Sequence, residues 1–207
     1  MTEDKESEGR KLYEDILREI CSLGAGNAAS RLSKMIGKKV EIDLPEILFR
    51  RPEEGSYFMP KGEKELVIGL KTNFGGEKEG MIFTLIPPEQ AMKVLGFVFD
   101  KEIKEIGEME QSALLEVSNI LSGAVVGSIA NFAGMKIYPK PPDITFDLPL
   151  SIIDFAIGEQ VKAINRIFFT VVSLKIEEEK IFLLLTFFPF FDLAGEIWER
   201  TEKKKKI

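Results

Sequence analysis

The sequence predicts an α/β fold of the α+β type, with long helices packed on a shared antiparallel six-stranded sheet. Three observations carry this. Two long segments, 12–36 and 108–132, space their apolar residues at helical intervals. Six shorter segments read as strands, and the short turns that join successive ones favour antiparallel over parallel pairing. The order of long helix, Pro-interrupted strand, strand, strand and short helix then occurs twice along the chain.

Taken in order, residues 1–10 are charged and read as a disordered lead-in. From Leu12 the spacing of Leu12, Ile16, Leu17, Ile20, Leu23, Leu32, Met35 and Ile36 is helical. Inside it lies the small-residue run Gly24-Ala-Gly-Asn-Ala-Ala29. Each Gly weakens a helix by roughly 1 kcal/mol relative to Ala, and is best tolerated where another backbone must come close. Gly37 suits a C-cap. Lys38 to Phe49 is strand-like and interrupted at Pro45; 51–64 reads as a loop. Glu65 to Lys71 is a strand, Asn73 to Gly76 a turn, and Gly80 to Ile86 a second strand. Pro87-Pro88 opens a short helix through Phe99, since Pro fits the first helical positions. Glu108 to Phe132 is the second long helix, ended by Gly134. Lys136 to Leu148 is extended but interrupted by Pro139, Pro141 and Pro142. Ser151 to Gln160 is ambiguous between helix and other structure. Arg166 to Ile176 and Lys180 to Phe188 form a hairpin about Glu177 to Glu179. A final short helix runs from about Phe190 to Arg200.

The two rounds share one offset. Asp15 and Ser112, Glu19 and Glu116, Gly37 and Gly134, and Pro45 and Pro142 are each 97 residues apart. This predicts two copies of one unit, about 11–100 and about 107–201, related by a pseudo-two-fold axis. Each copy is too small and too one-faced to stand alone, so 11–201 is read as a single domain, followed by a basic tail at 202–207.

Composition removes several kinds of chemistry. The chain of 207 residues is 44% hydrophobic, enough for an ordinary core. Its net charge of -6 argues against a nucleic-acid backbone as partner, which needs a basic face. There is no His and one Cys, so no Ser-His-Asp or Cys-His nucleophile system and no His- or multi-Cys zinc site can be assembled. A lone Cys cannot form an internal disulfide and fits a reducing, cytoplasmic setting. No signal peptide is visible, and the longest apolar run, Ile181 to Phe191, is too short to span a bilayer. Carboxylates, amides, hydroxyls, Lys and Arg are what remain for chemistry.

Within the second long helix, Glu116 and Asn119 stand three residues apart among apolar and small neighbours. They therefore share a face, about 4.5 Å apart along the axis. Two readings fit such a pair: a hydrogen-bonded helix face, or a site where the carboxylate holds a cation and the amide orients a water. The repeated landmarks spell Asp or Ser, three residues, Glu, two residues, Asn, twenty-two residues, Pro. Ser112, Glu116, Asn119 and Pro142 fill every position in the second copy. With the Leu23-Gly-Ala-Gly-Asn-Ala-Ala29 run, this pattern resembles the CheC-type chemotaxis phosphatases, a family that includes CheX and FliY, and the CheC branch in particular. The resemblance covers roughly 12–200.

The resemblance implies hydrolysis of the aspartyl phosphate on the response regulator CheY. Glu116 would pair with a lysine of the regulator, and Asn119 would hold the attacking water. The chain would bind no cofactor or metal itself; the regulator would bring Mg²⁺. Phosphoryl transfer needs positioning and charge stabilisation more than a strong base, so the absence of His is no handicap. The first copy departs from the pattern. Asp15, Glu19 and Pro45 match, but Ser22 replaces the amide and offers a single donor, so this site is expected to be degenerate. Asp15 and Ser112 are expected to orient their Glu or to face solvent, and Pro45 and Pro142 to shape strands near the helices. Cys21 reads as inert packing. The resemblance also brings CheD as a candidate partner. The competing reading is a non-catalytic scaffold of the same fold that binds CheY or CheD, like the middle domain of the flagellar switch protein FliM.

Overall fold

The computed structural model describes residues 3–50, 65–160 and 167–189, together with 193, 195, 196 and 199. The elements are α1 (Glu3–Ile36), β1 (Val40–Arg50), β2 (Val67–Gly76), β3 (Gly80–Ile86), α2 (Pro88–Phe99), α3 (Glu108–Ala133), β4 (Ile137–Pro139), β5 (Asp143–Asp147), α4 (Pro149–Gln160), β6 (Ile167–Ile176) and β7 (Glu179–Pro189). The mixed α/β class expected from the sequence holds. All strands join one sheet, ordered β1-β6-β7-β3-β2-β4 with β5 also on β2, and every pairing is antiparallel.

Among the described residues the sheet has seven strands rather than the expected six. The extended segment after α3 divides at Lys140-Pro141-Pro142, because proline has no N–H to give to the ladder. Both pieces pair with β2: Pro139 lies opposite Phe74, and Asp143 opposite Lys71. One extra residue on the proline-bearing side is thus accommodated between them. β1 does the same at Pro45, where the register with β6 slips between Asp43 and Glu46. Pro45 and Pro142 therefore both lie at bulge-like breaks in outer strands. The strand order also reads alike from either edge if β1 is matched with β4 and β5, β2 with β6, and β3 with β7. A duplicated unit would leave such an order.

Other boundaries moved. The lead-in at 3–10 is part of α1. It carries three Glu with Lys5 and Arg10, residues of high helix propensity, and a charged segment can extend a helix already nucleated. The turn expected at Asn73 to Gly76 is strand: Gly76 takes φ 129 and ends β2, so the reversal falls between Gly76 and Gly80. The ambiguous segment is helix α4. Gly37 and Gly134 follow the long helices with φ 74 and φ 63, the left-handed conformation expected of them. The loop at 51–64 and the tail at 202–207 lie outside the described residues. Of the closing helix, only Leu193, Gly195, Glu196 and Glu199 are described, and all four are helical.

Strand alternation divides the core between two faces. Ile82 and Ile86 of β3 and Leu183, Leu185 and Phe187 of β7 join the buried cluster with α1, α2 and α3. Met81, Phe83, Leu85, Leu184 and Phe188 join Ile152 and Ile153 of α4 in the other. α4 can sit close because Gly69 leaves room: a Cβ there would stand 2.8 Å from Ile152 Cδ1. α3 is long and apolar enough to cross a membrane by composition, but 61% of its apolar window is buried. Its apolar character serves the core.

The two long helices pack against each other, and small residues set the distance. A Cβ on Gly24 would lie 3.4 Å from both the Ala124 carbonyl oxygen and Ser128 Oγ. Gly26 makes no such approach. Cys21 is buried at this helix layer, and desolvation pushes its thiol up from 9.0 to about 12. The thiol is therefore neutral in the folded protein, and native Cys21 should resist thiol reagents at pH 8 until denaturant is added. Its folded value exceeds its unfolded one. Stability from this group is thus full below pH 9 and is lost as pH rises from about 9 to about 12. Chemical denaturation across that range checks the sign.

Candidate functional site

On α3, the positions that face the sheet are apolar or small: Leu114, Val117, Ile120, Leu121 and Ala124 are all buried. Glu116 and Asn119 fall between them on the outer face and are exposed. The N-terminus of the helix is held by Glu110, whose Oε2 accepts the Gly107 N–H at 3.2 Å. Asn119 Nδ2 donates to Glu116 Oε2 at 3.5 Å, a long contact that steers the amide without locking it. The Asn119 side-chain Oδ1 and its second Nδ2–H remain to accept from and donate to a water.

The pair lines an open groove of about 520 Å³ between α1 and α3. Glu116, Asn119, Ile120 and Gly123 form one wall; Arg31, Lys34 and Met35 form the other, with Pro139 at the end of β4. Gly24 lies beside Ala124 and Ser128, whereas Arg31 lies beside Gly123, so the helices run antiparallel. That direction brings the C-terminal turns of α1 to the acid and amide of α3. Arg31 and Lys34 were not singled out from the sequence, and Pro139 was read only as an interruption of a strand. The available signal was the i, i+3 spacing of Arg31 and Lys34, which places both cations on one face beyond the small-residue run.

The first-copy residues differ. Asp15, Glu19 and Ser22 are all exposed on α1. Ser22 Oγ donates to the Arg18 carbonyl at 2.8 Å, so its proton is taken by its own helix. Ser112 behaves likewise, donating to the Glu108 carbonyl at 2.9 Å. Of the two roles expected for Ser112, the solvent-facing one fits better than orientation of Glu116. Pro142 is half-buried between β4 and β5. Among the described residues no group of three or more Cys, Asp or Glu side chains gathers as a metal-ligand cluster.

The architecture is that of flagellar switch and chemotaxis proteins. FliY of Thermotoga maritima superposes with a TM-score of 0.74 at 18% identity, covering 93% of this chain and 96% of that one. FliM from a complex with SpeE of H. pylori gives 0.68 at 14%, covering 92% and 97%. A CheX–CheY–BeF₃–Mg complex from Borrelia burgdorferi gives 0.52 at 17%, covering 80% and 95%. At the level of sequence, residues 109–145 match the CheC-like family. That segment contains Ser112, Glu116, Asn119 and Pro142. The CheY-P phosphatase CheC of Bacillus subtilis is 29% identical over 139 residues. The match covers 65% of this chain and 66% of that relative, just under two thirds of its length. The resemblance to CheC-type proteins read from the sequence is thus matched by the CheC-like family over residues 109–145 and by the fold of its structural neighbours.

Proposed function

We propose that this chain is a phosphatase for the aspartyl phosphate of a CheY-type response regulator, with its working site at Glu116 and Asn119. The observation that carries the reading is the exposed acid–amide pair on a rigid helix, at the rim of a groove a partner can enter. Its position within the CheC-like segment and the CheY-P phosphatase activity for which the Bacillus relative is named support the same assignment.

In this reading Glu116 pairs with a cationic side chain of the regulator and fixes its orientation. Asn119 accepts a hydrogen bond from water and donates another, holding the oxygen in line with phosphorus. The water oxygen bonds to phosphorus as the bond to the aspartyl oxygen breaks; the carboxylate leaves and the water's proton passes to phosphate or solvent. Mg²⁺ comes with the regulator and supplies charge neutralisation there. What this chain contributes is position: a side chain one turn from a packed helix core loses little freedom when the partner docks.

We read the first copy as degenerate. Glu19 can contact a partner, but the Ser22 hydroxyl is shorter than an amide and its proton is engaged by the Arg18 carbonyl. Ser22→Ala should leave the rate within about twofold of the parent, because no positioned donor is lost. The palindromic strand order and the shared 97-residue offset support descent from a duplication. Cytoplasmic placement follows from the proposed substrate. CheD remains an expectation of the family resemblance.

The alternative is a non-catalytic scaffold, favoured by the fold shared with FliM in its complexes with SpeE and FliG. The decay of phosphorylated CheY, followed with and without the protein, separates the two. Acceleration at substoichiometric protein supports the enzyme; a decay rate unchanged by stoichiometric protein leaves the scaffold.

A further inference from the structure

The groove has a second wall that the proposed chemistry does not use. Arg31 Nη1 lies 4.0 Å from where a Cβ on Gly123 would stand, so its guanidinium reaches across from α1 to α3. Gly123 is one turn beyond Asn119, about 6 Å along the axis. Lys34 lines the same wall, and both cations are exposed. Among the described residues neither is held in a salt bridge. Lys34 alone could be explained as a complement to the C-terminal end of the helix. Arg31 lies a turn earlier and extends toward the partner helix.

The matching place in the first copy is bare. Gly26 stands 97 residues before Gly123 and has nothing within 4 Å of a built Cβ. At the positions of Arg31 and Lys34, the same offset gives Ser128 and Asn131, which carry no charge. The cationic wall thus accompanies the copy with the intact acid–amide pair.

The chain as a whole carries a net charge of -6. An anionic partner is repelled by that field unless a local positive site guides it. A phosphoryl group bears about two negative charges at neutral pH. A guanidinium pairs with phosphate or carboxylate oxygens through two parallel N–H donors.

We propose that Arg31, aided by Lys34, is a specificity-determining residue: it receives the anionic face of the phosphorylated regulator and makes docking depend on phosphorylation. This rests on the phosphatase reading above. Arg31 positions the substrate, while Glu116 and Asn119 act at the reacting atoms.

The test combines steady-state hydrolysis of phosphorylated CheY with fluorescence anisotropy on beryllofluoride-loaded CheY, each at low and high salt. For Arg31→Glu, KM and the anisotropy Kd should rise about tenfold with kcat within about twofold, the pattern expected for a docking charge. Arg31→Lys should recover most of the loss, and the salt response of the wild type should be largely absent from Arg31→Glu. Asn119→Ala should bind normally and turn over poorly. An active Arg31→Glu protein with unchanged KM, Kd and salt response overturns the role of Arg31 and leaves the phosphatase reading intact. A wild type that binds without hydrolysing overturns the phosphatase reading, and the anisotropy series alone then decides on Arg31. A wild type that does neither overturns both.

Discussion

Asn119→Ala is expected to lower the rate of regulator dephosphorylation by about a hundredfold or more, the loss typical when one positioned hydrogen-bonding group is removed from a reacting centre. Among the described residues that line the groove, the substitution takes away the one neutral side chain that can donate to a water and accept from it together. Glu116 cannot take over, since an ionised carboxylate only accepts. Asn119 is exposed and, among the described residues, its one side-chain hydrogen bond is the long one to Glu116, so thermal stability should change little. Single-turnover decay of phosphorylated CheY measures the rate, and a thermal melt of the same sample verifies the fold. A loss smaller than about threefold would remove Asn119 from the chemistry, given the size such groups normally contribute.

Phe187→Ala should have the largest effect on stability. Phe187 is 2% exposed in the central strand β7 and stacks on Phe74 of β2, with ring centroids 5.3 Å apart and planes 7° from parallel. Truncating a buried Phe costs about 3–5 kcal/mol through lost burial and the cavity left behind. For a chain of this size that corresponds to a fall in Tm of roughly 10 °C. The side chain faces the cluster that carries α1 and α3, so the groove should loosen as well. Circular dichroism melts give the shift; a fall of under about 3 °C would mean that the helix layer repacks without help from this ring.

The C-terminal ends of the long helices and the start of α2 were readable because their signals are local, whereas the first turns of α1, read as a lead-in, were not. Gly37 and Gly134 stop α1 and α3 by taking left-handed φ, and Pro88 starts α2. The acid–amide pair was readable for the same reason: two residues on one helix fix their own spacing. Strand limits were harder to read. Asn73-Phe-Gly-Gly76 has turn composition, yet pairing with β3 and β4 keeps it extended. Tertiary hydrogen bonds overrode the local preference. The expected strand from Lys136 to Leu148 became two because proline removes ladder donors at more than one position there. α4 was ambiguous because its apolar residues must fit a sheet face opened by Gly69, a contact between distant parts of the chain. Arg31 stayed hidden for a related reason. Only the antiparallel packing of α1 on α3, set by close approaches such as Gly24 on Ala124, brings its guanidinium to the groove.

The most direct measurement is a crystal structure of the chain bound to beryllofluoride-loaded CheY. The account predicts that α3 enters the regulator's active site, with the Asn119 amide within hydrogen-bonding distance of the water or fluoride in line with beryllium and Glu116 against a cationic side chain of the regulator. A regulator seated on α1 at Glu19 and Ser22, or on an outer strand with Asn119 still facing solvent, would contradict it.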